Sequence, residues 1–247
     1  MRMTRVYVGA TLTPGSPVEL PPDTASHLAK VLRARAGDEL ILFNGDGREF
    51  TGAIEGVRGS RVSAFVGDGR VVDRESALAI TLVQSVPRGD RMDFIVQKAT
   101  ELGVARIVPV LSQRSVVRLD AAQAESKAIH WRAVAVSACE QCGRNSLPII
   151  EAVQPLLNYL SKSAPCAGPR LVFEPESALQ PLAPTTAGTP VVDAQIAIGP
   201  EGGFTADELE AFRVAGFAQG GLGPRVLRAE TAAIAALVWL QTRFGDM

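Results

Sequence analysis

Gln195–Gly203 reads QIAIGPEGG, and this stretch decides the fold. Ile196–Ile198 is a short apolar run of the kind a buried strand shows. Gly199, Pro200, Gly202 and Gly203 then bring bare backbone to the strand's end, where a ligand can approach closely. Thr205 with Glu208 three residues on makes a capping box, and Phe204 and Leu209 occupy the staple positions around it. The stretch therefore reads strand, glycine turn, helix. The turn lacks the Lys-Ser/Thr ending of a P-loop and the G-x-G-x-x-G spacing. Glu201, Asp207 and Glu208 place acid where a phosphate wants positive charge. A neutral or cationic ligand is expected, although this turn by itself also fits a strand-to-helix connection with no ligand.

A second stretch, Gly220–Thr231, reads GGLGPRVLRAET and repeats the pattern. Leu222-Gly223-Pro224-Arg225 ends a strand, Val226-Leu227-Arg228 follows, and Glu230-Thr231 opens the apolar run Ala232–Leu240. Two Gly-Pro turns from separate strands, each leading into a helix, point to one shared crevice at the strand ends. Arg225, Arg228 and Glu230 fall close together here. Any one of these charges also fits a solvated helix start with ordinary ion pairs.

Between and before these stretches, strand and helix alternate from Ala79 onward. Ala79–Val86 reads as a strand, and Arg88–Leu102 as a helix closed by Gly103. Arg106–Leu111 is the next strand and Ser112-Gln113-Arg114-Ser115 a polar loop. Asp120–Cys142 is a long helix ended by Gly143, Ile149-Ile150 a short strand, and Gln154–Leu160 a helix. Residues 163–194 carry six prolines, yet Leu171-Val172-Phe173 is a good buried run, so the reading is loop, strand Arg170–Glu174, loop. This alternation predicts an α/β domain with a parallel sheet.

Residues 1–74 differ. Val6–Val8, Leu40–Phe43, Glu49–Val57 and Arg61–Val66 read as strands and Asp23–Leu32 as a helix. Asn44-Gly45-Asp46-Gly47, Gly59-Ser60 and Gly67-Asp68-Gly69 separate the strands as turns. Short strands with frequent turns predict a small barrel. Val71–Leu78 is the connection. Arg5, Lys30, Arg33, Arg35 and Arg48 could form a phosphate-contacting patch, though any one of them also fits a solvated rim.

Composition bounds the reading. The 247 residues are 47% hydrophobic and 21% charged, which suits a globular protein of one large domain or two modest ones. Net charge is −1, so bulk charge announces no nucleic acid, and local patches must bind any RNA. No run approaches a membrane span, and MRMTRVYVGA lacks a signal-peptide core. Three cysteines make no disulfide framework, and a cytoplasmic location is expected. The pair in Cys139-Glu140-Gln141-Cys142 ends a helix, where the dipole does not favour thiolate. A zinc site needs about four ligands, and only Cys166, His27 and His130 remain as recruits. Buried thiols beside a Glu-Gln-x-x-Arg surface are expected, with no metal. H-E-x-x-H, P-loop and G-x-S-x-G motifs are absent, which leaves group transfer with a bound small cofactor.

IGPEGGFTADELE with LGPRVLRAETAA closely resembles the RsmE family of 16S ribosomal RNA uracil-N3 methyltransferases, in the SPOUT superfamily. VLRARAGDEL (31–40), RGDRMDFIVQKATELGV (88–104) and ACEQCGRNSLP (138–148) resemble the same family. The match spans nearly the whole chain and is weakest at 153–194. It implies a PUA-like β-barrel at 1–74 that helps hold RNA. It also implies a SPOUT domain at 75–247 with a C-terminal trefoil knot and a homodimer. By this resemblance S-adenosylmethionine would be held by Phe173 and Glu174, by Ile198, Gly199, Pro200, Glu201, Gly202 and Gly203, and by Leu222, Gly223, Arg225, Val226, Leu227, Arg228 and Thr231. Arg228 would stabilise the uracil oxygen, and Glu201, Glu230 or water would take the N3 proton. Arg5, Lys30, Arg33, Arg35 and Arg88 would face RNA of the small ribosomal subunit. Glu140, Gln141, Arg144 and Asn145 would lie near RNA or a dimer interface. Two rival readings are a non-catalytic RNA-binding module and a SPOUT methyltransferase acting on transfer RNA or a ribose hydroxyl.

Overall fold

The structure is a computed structural model that describes residues 3–163, 166–175 and 190–247. Part of the proline-rich loops expected around Arg170–Glu174 lies outside these residues. The chain divides into two compact units, Met1–Glu75 with Val136–Leu147, and Ser76–Ala135 with Pro148–Met247.

The first unit holds strands β1 (Thr4–Tyr7), β2 (Pro17–Glu19), β3 (Glu39–Phe43), β4 (Arg48–Arg58) and β5 (Arg61–Val71), with helix α1 (Pro22–Lys30). They form one sheet in the order β1-β3-β4-β5-β2. The β1–β3 pair is parallel and the others are antiparallel. Alternate residues of β4 and β5, Ile54, Val62, Ala64 and Val66 among them, bury one face against Ala25 and Leu28 of α1. Two departures from expectation stand out. The short edge strand β2 was not anticipated. Moreover, β5 continues through Gly67-Asp68-Gly69, which read as a turn, with a register irregularity opposite Thr51. A Cβ on Gly69 would stand 2.5 Å from the Phe50 ring, so glycine here admits a close cross-strand neighbour rather than a turn.

The second unit holds β6 (Ala79–Ser85), α2 (Arg91–Glu101), β7 (Arg106–Leu111), α3 (Ala121–Cys142), β8 (Ile149–Ile150), β9 (Gln154–Pro155), α4 (Leu156–Lys162), β10 (Arg170–Phe173), β11 (Asp193–Ile198), α5 (Ala206–Val214), β12 (Ala218–Gly220) and α6 (Ala229–Phe244). The end of α3, from Val136, groups with the first unit. The sheet order is β12-β10-β11-β6-β7-β8, with β9 also on β7. Every pairing is parallel, as the alternation predicted. The stretch read as a helix from Gln154 opens with β9 instead, because Pro155 is extended (φ −59°, ψ 138°) and the helix can begin only after it. α2 starts three residues later than read, since Gly89 has φ +73° and breaks the helical run.

Both sheet faces are covered, so adjacent strand residues serve different cores. Leu82, Ile107, Leu171 and Ile196 pack with Met92, Ile95 and Val96 of α2 and Ala233, Leu237 and Leu240 of α6. Val83, Val108, Val172 and Ala197 pack with Leu156, Phe204, Phe212 and Phe217. Each such large side chain contributes about 1.5–3 kcal/mol of transfer free energy. Gln241 of α6 is buried, donates to Leu102 O (2.8 Å) and accepts from Ser76 Oγ (2.8 Å), which fixes the last helix against α2. Among the described residues no helix is long and apolar enough to cross a membrane.

Candidate functional site

β11, β10 and β12 lie side by side, and their register aligns Ile198 with Phe173 and Phe173 with Gly220. Their carboxyl ends therefore finish level, and a cavity of about 240 Å³ opens there. Phe173 and Glu174 follow from β10, and Ile198, Gly199, Pro200, Glu201 and Gly203 from β11. Leu222, Arg225, Val226, Leu227 and Arg228 close the other side. Of the residues expected here, Gly202, Gly223 and Thr231 do not line the cavity, whereas Pro175, Ala229 and Ala232 do. The two alanines sit three apart on α6, a spacing that also fits ordinary core packing and gave no separate signal.

The glycine turn is held from several directions. Gly203 N donates to Pro200 O (2.9 Å) and Gly203 has φ +68°, a left-handed conformation that side chains with a Cβ rarely take. The helix behind it carries the expected capping box, with Thr205 N donating to Glu208 Oε2 (2.9 Å). Phe204 is buried and Leu209 packs beside it. The loop after β7 grips the turn from outside. Gln113 N donates to Glu208 Oε1 (2.8 Å), and Arg114 Nη1 donates to the carbonyls of Gly202 (3.0 Å) and Phe204 (3.2 Å).

The acids of the rim share a cation the sequence did not reveal. Arg91, in the first turn of α2, bonds Glu201 Oε1 through Nη1 and brings Nε to 3.8 Å from Glu230 Oε1. Arg88 N also donates to Glu201 Oε1 (3.2 Å). Glu230 stands in the first turn of α6, where the helix dipole favours a carboxylate. Its Oε2 is buried and has no hydrogen-bond partner among the described residues. Arg225 and Arg228, which also line the cavity, are exposed. The cavity is thus mostly apolar wall and bare backbone, with carboxylates on one side. That chemistry suits a flat neutral ring joined to a cation.

The expected RNA-facing residues separate. Lys30, Arg33, Arg35, Arg88 and Gln141 are exposed. Arg5, Arg144 and Asn145 are interior, which removes them from a surface patch. Arg5 donates to Glu49 Oε2 (2.8 Å), Arg144 O (3.2 Å) and Asn145 Oδ1 (2.6 Å). Arg144 binds Glu75 (2.6 Å), and Asn145 donates to Val72 O (3.1 Å). Glu140 Oε1 accepts from Tyr7 N (3.0 Å), and burial pushes its carboxyl up. Glu49 also holds Arg70 (2.7 Å) and Arg74 (3.1 Å). These bonds explain why Val136–Leu147 groups with the first unit. Cys139 is buried, and its thiol is pushed up by a hydrogen bond with Cys142 and by burial, so it stays protonated.

Residues 74–241 match the RNA methyltransferase domain family and residues 20–67 the RNA methyltransferase PUA domain family. Ribosomal RNA small subunit methyltransferase E of Buchnera aphidicola (subsp. Schizaphis graminum) is 32% identical over 100% of this chain and 98% of its own. The protein of the same name from Bacillus subtilis is 32% identical over 85% and 84%. Among solved structures, ribosomal RNA small subunit methyltransferase E from Neisseria gonorrhoeae, bound to S-adenosyl methionine, superposes with TM-score 0.88 at 36% identity over 100% of both chains. A Legionella pneumophila structure with bound cofactor SAM gives TM-score 0.91 at 38% identity, again over 100% of both. The chain therefore belongs to the ribosomal RNA small subunit methyltransferase E family, and matches the RNA methyltransferase and PUA domain families.

Proposed function

We propose that this protein transfers a methyl group from S-adenosylmethionine to N3 of one uridine in 16S ribosomal RNA of the small subunit. The observation that carries the reading is the cavity at the level ends of β10, β11 and β12, with bare backbone and apolar side chains for walls and carboxylates at one rim. Relatives matched over the full chain carry this donor. Phe173, Ile198, Leu222 and Leu227 would hold its adenine and Gly199–Gly203 its methionine part, with Glu201 toward the positive end. When bound, S-adenosylmethionine supplies an electrophilic methyl group on a sulfonium.

The chain's own residues have two tasks, alignment and management of the imide proton. Arg228, exposed at the rim, stabilises the uracil oxygen that gains charge as N3 loses its proton. Glu201, Glu230 or water accepts that proton. The apolar walls exclude water from the reacting atoms. The target uridine must be splayed out of its RNA fold to enter. Lys30, Arg33 and Arg35 on residues 1–74, and Arg88 beside Glu201, contact phosphates. We retain from the resemblance a cytoplasmic homodimer, a barrel at 1–74 as the RNA-holding domain and a knotted C-terminal segment within 75–247.

The test is to incubate the protein with the donor and small ribosomal subunits lacking the modification, and to map the methylated base by mass spectrometry. One new N3-methyluridine in 16S RNA is expected. Methylation of a ribose or of transfer RNA would replace this reading. Arg228→Ala should keep donor affinity and lose about a hundredfold or more in turnover. Full turnover in that variant would remove Arg228 from the chemistry.

A further inference from the structure

We infer that Arg91, with Glu201 and Glu230, forms a charge-setting cluster that discriminates the methylated donor from its demethylated product, with Arg91 as the positioning residue. The inference rests on the methyl-donor reading above. The donor and the product differ at one atom that matters electrostatically. The donor's sulfur is a sulfonium cation, and the product's is a neutral thioether. A site that binds both must release the second to turn over.

The cluster has the charge for this. Among the described residues Arg91 is the guanidinium bonded to Glu201, and it also stands 3.8 Å from Glu230. Two carboxylates on one cation leave a net charge of −1 on the cluster itself, which meets the cavity through Glu201; Glu174 is a further carboxylate of the lining, unchanged in the variants below. Arg88 N adds a neutral donor to Glu201 (3.2 Å), so the carboxylate is held in place without further charge cancellation. Arg225 and Arg228 are exposed cations of the lining, screened by solvent and unchanged in the variants below. Arg91 sets how negative the wall is, and the two acids set its sign.

This makes opposite predictions for neighbouring substitutions. The readout is the ratio of product to donor dissociation constants, measured by calorimetry with S-adenosylhomocysteine and S-adenosylmethionine. Glu201→Gln should lower donor preference on the order of tenfold, the worth of a unit charge a few ångströms away in a half-exposed site. Glu230→Gln should lower it less. Arg91→Met should raise it, and Arg91→Lys should keep it within about twofold of the wild type. A purely structural role for Arg91 would weaken both ligands together and leave the ratio alone. A ratio unchanged in both Gln variants, with both ligands still bound, overturns the inference. So does a fall rather than a rise in Arg91→Met. If Arg91→Met folds poorly by circular dichroism, the two Gln variants and Arg91→Lys still decide it. A wild type that binds neither ligand defeats the methyl-donor reading itself, and the inference with it.

Discussion

Replacing Glu49 with glutamine should unhinge the ion network of the first unit. Glu49 is 2% exposed. Its Oε2 accepts from Arg5 Nη1 (2.8 Å) and Arg74 Nη1 (3.1 Å), and its Oε1 from Arg70 Nη2 (2.7 Å). Burial alone would push this carboxyl up, but the hydrogen bonds from Arg70, Arg74 and Arg5 outweigh it and hold the pKa at about 2, against an ordinary 4.5. At about 1.4 kcal/mol per unit, that depression corresponds to about 3 kcal/mol of stability at neutral pH. Because the folded value is the lower one, the contribution is complete above the ordinary value and fades as pH falls toward 2. Urea unfolding of wild type and Glu49→Gln should therefore differ by about 3 kcal/mol at pH 7 and by under about 1 kcal/mol at pH 2.5. Glutamine keeps the shape but leaves buried Arg5 without its anion, the arrangement that makes broken buried pairs costly. A difference below about 1 kcal/mol at pH 7, or one that stays constant down to pH 2.5, would refute the reasoning.

Two more outcomes concern the glycine turn. Gly203→Val puts a β-branched residue at φ +68°, with its Cβ facing Glu174 Oε2 at 3.6 Å; donor binding should fall below detection by calorimetry while the thermal transition drops by only a few degrees. Arg114→Ala removes two bonds to turn carbonyls, and donor affinity should weaken by roughly tenfold, since a charge-assisted bond is worth about 1.5–3 kcal/mol; affinity equal to wild type would mean the turn holds itself.

Some of this could be read from residue order alone. Ile196–Ile198 before a run of glycines, and Thr205 before Glu208, are local signals, and the strand and cap formed where those signals lie. Parallel alternation followed from the same kind of local pattern. What residue order could not give is which distant charges meet. Arg88 and Arg91 look alike in RGDRMD, yet Arg91 reaches Glu201 across 110 positions while the Arg88 side chain stays exposed. Arg5 and Arg144 read as surface cations because nothing nearby marks Glu49 or Glu75 as their partners. Gly67 and Gly69 misled because a glycine that admits a close neighbour, Thr51 and the Phe50 ring here, and a glycine that turns the chain are the same letter. β2 is three residues long and carries no alternation to detect.

The strand order also sets a timetable for synthesis. β6 sits between β7 and β11, and its partner Ile198 follows Gln84 by about 110 residues. At about 5–20 residues per second, one edge of β6 waits roughly 6–22 s on the ribosome before β11 arrives. During that interval Ile80 and Leu82 have α2, β7 and Trp131 for cover and Val83 has Val108 and Leu156, without β11 or α6. Because non-local pairing also slows folding, the open edge of β6 is exposed to premature strand association while the chain is nascent.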